Sequence, residues 1–183
     1  MWIDLAFVFS GFMLDNVLRL LFPIDPALRF LVFVPNLGFL AFLFVALKKP
    51  MLIALSLAVL LGLGLDLMRY GVISNALAFP MAVYAVKIWS NTLNESLFER
   101  VFVGTIGLFI KEVAMYIILF LFLSTKLDIG TWFIKREFLT LIGHIPLLIG
   151  LGLIFKTKEG LQKNLDQQRL RRERIRWNPT ARP

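Results

Sequence analysis

The chain has 183 residues, 58% of them hydrophobic, with 18 Phe and a mean hydropathy of +0.78, which lies outside the range of soluble globular domains and reads as a polytopic membrane protein. Its formal net charge is +8, with one histidine and no cysteine. That composition excludes disulfides, thiolate metal sites and a histidine-based metal cluster.

A membrane-crossing helix needs about 20 mainly apolar residues. Six segments qualify or nearly do, at about 2–22, 28–47, 51–69, 72–90, 101–124 and 137–155, and five is the alternative count. The first is interrupted by Asp4, Asp15, Asn16 and Arg19, and the second is broken by Pro35-Asn36. The first segment lacks a basic n-region and a small-residue cleavage site, so it is expected to be retained. The connections are short. The expected fold is an all-α integral membrane bundle of about six transmembrane helices over residues 1–156, followed by a basic tail at 157–183.

Short loops rich in Lys and Arg stay in the cytoplasm. Lys48, Lys49, Lys87, Arg100 and the nine basic residues after the sixth segment fall on one side of the six-span arrangement, against Arg29, Arg69, Lys126, Lys135 and Arg136 on the other. Both termini are therefore expected in the cytoplasm. The stretch from Lys156 onward combines nine basic with three acidic residues. Its arginines Arg169, Arg171, Arg172, Arg174 and Arg176 suit a membrane-surface segment near anionic lipid. Nucleic acid is not an expected partner, since no recognition fold or aromatic platform accompanies the charges.

The ionisable residues inside the spans need an account, because charge at membrane depth is costly unless paired or hydrated. Asp66 is the foremost, in the run Leu60-Leu61-Gly62-Leu63-Gly64-Leu65-Asp66-Leu67. Asp15 and Arg19 are four apart and can neutralise each other on one helix face. Arg69, three residues after Asp66, is close enough to the interface to snorkel. Lys111 and Glu112 are adjacent, about 100° apart on a helix, so they are expected to pair poorly and to seek partners elsewhere: Asp66 or Asp15 for Lys111, and Arg19 for Glu112. Gly62, Gly64, Gly104, Gly107, Gly150 and Gly152 suit close helix approach. Pro35 and Pro146 are expected to kink or interrupt their helices. His144, two residues before Pro146, is expected to satisfy a polar group near that kink. General acid–base catalysis needs a second positioned group, and none is identifiable beside it. No catalytic residue, cofactor or metal ligand is assigned.

Pro35-Asn36-Leu37 in the second segment, Gly62-Leu63-Gly64-Leu65-Asp66-Leu67 in the third, and Gly71 with Asn75-Ala76-Leu77 opening the fourth resemble the rod shape-determining MreD family. That family usually shows an acid where Asn36 stands. The resemblance implies a non-enzymatic subunit of the bacterial cell-elongation machinery in the inner membrane. Its implied partners are MreC, the glycosyltransferase RodA, the penicillin-binding transpeptidase that works with RodA, and the actin-like MreB filament. On that reading spans 2 and 6 and the glycine-rich span 3 form a groove for the MreC transmembrane helix, with Asp66 holding it by pairing with Lys111 or by capping backbone. The alternative is a substrate-binding membrane subunit of an energy-coupling-factor vitamin transporter, a group to which the MreD family is similar in fold. Such a subunit would use the polar residues to line a ligand cavity.

Overall fold

A computed structural model describes residues 2–23, 30–68, 73–90, 96–123 and 128–177, the side chains of Leu123, Arg169 and residues 171–177 apart. Of the described residues 89% are helical and none is in a strand. The expected all-α class is therefore correct.

The elements are α1 (Trp2–Leu21), α2 (Leu37–Leu47), α3 (Met51–Met68), α4 (Asn75–Ser90), α5 (Leu97–Leu123) and a last rod made of α6 (Ile129–Trp132), a π-helical turn (Phe133–Glu137) and α7 (Phe138–Trp177). Three of them, α3, α5 and the last rod, are long and apolar enough to cross a membrane by length and composition. Among the described residues the other helices of the expected six-helix bundle fall short of that measure for separate physical reasons. The α1 helix has 20 residues but carries Asp4, Asp15 and Arg19. The α4 helix has 16 residues.

The second expected span is not one helix. Residues 31–36 are non-helical, and α2 follows with only 11 residues. Pro35 has no amide proton to give a helix, and its neighbour Asn36 has φ −140°, so regular helix begins only at Leu37. Leu37 through Ala46 are all buried. This short helix runs through the middle of the bundle and touches α1, α3, α4, α5 and α7. Phe39, Leu40 and Leu43 pack there with Phe79 of α4, Leu108 of α5 and Leu148 of α7. Pro146, by contrast, lies inside α7, and that helix continues through it.

Asp4 accepts a hydrogen bond from Gln162 at 2.9 Å and pairs with Lys158 at 2.5 Å and Lys49 at 3.3 Å. Glu159 pairs with Arg100 at 2.8 Å and Lys48 at 3.2 Å. The start of α1 and residues 158–162 of α7 thus lie at one end of the bundle, and the first turns past the expected tail boundary are latched to it.

Candidate functional site: helix clasps and a buried polar cluster

Asp66 does not pair with Lys111. Its carboxylate accepts from the Asn75 amide at 3.1 Å, the Asn75 side-chain amide at 2.6 Å and the Ala76 amide at 2.9 Å. The first amides of a helix have no intrahelical acceptor and carry its partial positive charge. A carboxylate from the end of α3 meets both needs at the start of α4, which is the capping branch of the expectation. The contact is close because of Gly62, one turn earlier. A Cβ there would stand 2.5 Å from the Asn75 carbonyl oxygen and 2.6 Å from the Ala76 Cα. Gly64 has nothing within 4 Å of a built Cβ, so it is not part of the contact.

The same device occurs at the start of α2. Asp15 accepts from the Leu37 amide at 2.6 Å and the Gly38 amide at 2.9 Å. Gly11, one turn earlier, would place a Cβ 2.9 Å from the Leu37 carbonyl oxygen. The expected Asp15–Arg19 pair is absent among the described residues, because the carboxylate is turned to backbone donors on the opposite helix. Asn36 stands at the capping position of α2, yet its side chain makes no capping bond. It is engaged elsewhere, and α1 supplies the cap. The other end of α2 is met by Lys87 of α4. Its ammonium donates to the carbonyls of Ala46 and Leu47, each at 3.2 Å, and to that of Lys49. A carboxylate at the N-terminus and an ammonium at the C-terminus complement the helix dipole.

Asn36, Lys111 and Glu112 form a buried cluster that the half-buried Arg136 completes. Asn36 donates through Nδ2 to Glu112 Oε1 at 3.0 Å and to the Val34 carbonyl at 3.0 Å, while its Oδ1 accepts from Lys111 Nζ at 2.7 Å. Lys111 Nζ also lies 2.5 Å from Glu112 Oε1, and Arg136 donates to Glu112 Oε2 at 3.1 Å. The expectation that adjacent Lys111 and Glu112 would pair poorly is wrong. The lysine stem is long enough to bend across the 100° between them, and Asn36 sits where both side chains converge. The partners proposed from sequence, Asp66 or Asp15 for Lys111 and Arg19 for Glu112, are replaced by Asn36 and Arg136.

Extended chain inside a membrane protein must find acceptors within the protein. The Val32 amide donates to the Lys135 carbonyl at 2.8 Å, the Val34 amide to Thr140 Oγ1 at 3.2 Å and the Asn36 amide to His144 Nε2 at 3.0 Å. Alternate amides of one extended face therefore run along the last rod. Widening to i→i+5 bonding in the π-helical turn changes how carbonyls are used there: the Phe138 amide bonds the Phe133 carbonyl, and the Lys135 carbonyl serves Val32. Thr140 donates its own proton to the Arg136 carbonyl at 2.7 Å. His144 Nε2 accepts, so its proton is on Nδ1 and reaches the Thr140 carbonyl at 2.7 Å, a neutral imidazole with both nitrogens used. The expected role of His144, satisfying a polar group, takes this form.

Glu137 departs from this pattern. It is fully buried and neither carboxylate oxygen has a hydrogen-bond partner.

Sequence reasoning singled out Asn36, Lys111, Glu112 and Asp66 but not Gly11, Lys87, Arg136, Glu137 or Thr140. A signal for one of these was present, since Gly-x-x-x-Asp occurs at Gly11–Asp15 as well as Gly62–Asp66. Arg69 and Gly71 lie outside the described residues, as do the side chains of Arg169, Arg171, Arg172, Arg174 and Arg176. Among the described residues no group of three or more His, Cys, Asp or Glu is placed to hold a metal.

A hollow of about 510 Å³ lies between the end of α1, the extended segment and α7, lined by Leu18, Phe22, Leu31, Phe33, Gly143 and Pro146 among others. Its lining is apolar. It takes in the segment of Pro35 and the α7 of Pro146, as the expected groove did, but Asp66 and Gly62 are not on it.

No family model, curated protein or solved structure matches this chain.

Proposed function

We propose that the chain is a non-enzymatic scaffold subunit of the bacterial cell-elongation machinery, seated in the inner membrane with both termini in the cytoplasm. It binds MreC and helps to organise peptidoglycan synthesis by RodA and its transpeptidase. The observation that supports this reading best is how the intramembrane polar groups are used. Asp15, Asp66, Lys87, Asn36, Lys111, Glu112 and His144 bond to one another or to backbone. A small-molecule site needs convergent polar groups facing a pocket, and the α1–α7 hollow presents apolar side chains instead. That hollow is the surface offered to the MreC transmembrane helix.

The test is a tagged pull-down from native bacterial membranes in mild detergent with mass spectrometry of what is retained, repeated with Leu147→Trp to fill the hollow. Recovery of MreC with RodA or its transpeptidase, weakened by the tryptophan, is the expected result. Recovery of an ATPase pair with a coupling membrane subunit would replace the reading with a transporter component.

A further inference from the structure

Helix α1 lies at the edge of the bundle and packs chiefly on α2. Its buried residues are Phe7, Gly11 and Asp15. On a wheel of 100° per residue, Trp2, Ala6, Phe9, Met13, Asn16 and Leu20 fall within about 80°, centred about 180° from that buried face. All six are exposed. Leu5, Ser10, Leu14, Val17 and Leu21 are exposed as well, so this strip is set apart by its one side-chain amide rather than by exposure.

Five of the six are apolar or small, and the sixth is Asn16. Its side chain makes no hydrogen bond among the described residues. The helix is about 30 Å long, the thickness of the hydrocarbon; of the charges that set it apart from the three long apolar helices, Asp4 is latched at one end of the bundle and Asp15 is buried against α2, and Leu20, Leu21 and Phe22 carry exposed apolar surface beyond Asn16. An amide on that face, short of the apolar end of the helix, has neither water nor lipid to satisfy it.

We infer that this face of α1 pairs with the same face of a second copy of the chain. Copies of one chain insert in the same orientation, so two α1 helices run parallel and the two Asn16 side chains meet at one depth. An amide carries both a donor and an acceptor, so the pair satisfies itself. A polar side chain between membrane helices acts as glue, and a lone Asn at a seam position fixes register. The symmetry carries the choice of occupant, because a different partner helix would have to supply its own polar group at that depth.

The test uses the purified full-length protein alone in liposomes, so it is independent of any elongation partner. The chain has no cysteine, which makes single-cysteine variants free of background. Oxidation should give disulfide dimers from Phe9→Cys, Met13→Cys and Leu20→Cys, and none from Leu14→Cys, which is exposed but about 120° off the seam. Förster transfer between labelled copies, followed as lipid is added, should show Asn16→Leu dimerising about 3-fold to 30-fold more weakly. Asn16→Leu changes an exposed residue, and circular dichroism checks that it folds. Equal cross-linking at Met13→Cys and Leu14→Cys, or an unchanged dimer fraction in Asn16→Leu, overturns the inference. A monomer at every protein-to-lipid ratio does so too, and would leave the face to lipid or to a different protein.

Discussion

Asp15 stands to the start of α2 as Asp66 stands to the start of α4. Each carboxylate closes on the first two amides of the helix that follows its own, at 2.6 and 2.9 Å for Asp15 and at 3.1 and 2.9 Å for Asp66. Each has a glycine one turn earlier, pressed against the backbone it caps. The pair α1–α2 is thus a structural echo of α3–α4, and the equivalence makes the two sites comparable experimentally.

Replacing Asp15 by leucine removes two charge-assisted bonds to buried amides, and replacing Asp66 removes three, the third from the Asn75 side chain, each of a kind worth about 1.5–3 kcal/mol. Asp15→Leu and Asp66→Leu should both lower the unfolding temperature in detergent, Asp66→Leu by the larger amount, with Asp→Asn variants between them and the parent chain. Fluorescence-detected thermal stability of the purified variants measures this. A tolerant Asp15→Leu beside an intolerant Asp66→Leu would break the equivalence.

Gly62→Ala and Gly64→Ala should behave oppositely. The first forces a methyl against the Asn75 carbonyl and must spread α3 from α4, whereas the second meets open space and adds helix propensity of up to about 1 kcal/mol. Thermal melts of the two single variants decide the point, and a spin-label distance between the ends of α3 and α4 should lengthen only for Gly62→Ala.

Glu112 is the common acceptor of Lys111 and Arg136. Removing one member of a buried ion pair costs about 3–5 kcal/mol, because the remaining charge is stranded. Glu112→Gln should therefore destabilise more than Lys111→Met combined with Glu112→Gln, despite the second substitution. A double-mutant cycle by denaturant unfolding in micelles gives the coupling, and additivity would show that the two do not act as a pair.

Asn36 presents its amide hydrogens to Glu112 and Val34. Asn36→Asp withdraws both donors and sets a second carboxylate about 3 Å from Glu112 Oε1, so it should lower stability even though an acid is the usual residue at the corresponding place of the family that the segment resembles. Its melt should fall below that of Asn36→Gln. Stability equal to the parent would mean that the cluster rearranges around the acid.

Burying a carboxylate without partners is unfavourable, and Glu137 has none. Glu137→Met should raise the unfolding temperature or leave it level. A marked loss would show that the carboxylate is satisfied by water or by a bound ligand.

The sequence made some of this legible and left the rest hidden for physical reasons. The all-α class followed from apolar segment lengths, and Asp66 was recognisable as an acid that Lys111 or exposed backbone had to satisfy, but not as the clasp on the start of α4. The matching Gly11–Asp15 spacing was in plain view, but Arg19 offered Asp15 a nearer partner in sequence. Lys111 and Glu112 were recognisable as a problem. Their solution depends on which helices are neighbours, and local spacing does not determine that. The π-helical turn was not legible at all, since the carbonyl it offers serves the amide of Val32, about a hundred residues away in the chain.

That separation has a consequence for how the protein is made. The bonds Val34–Thr140 and Asn36–His144 join positions 106 and 108 residues apart. At about 5–20 residues per second, the acceptors emerge on the order of 5–20 s after the donors. Through that interval the segment 31–36 has no place among lipids, because its amides lack acceptors there. It is therefore expected to seat only when the last rod arrives, which leaves the entry to α2 as the last part of the bundle to close.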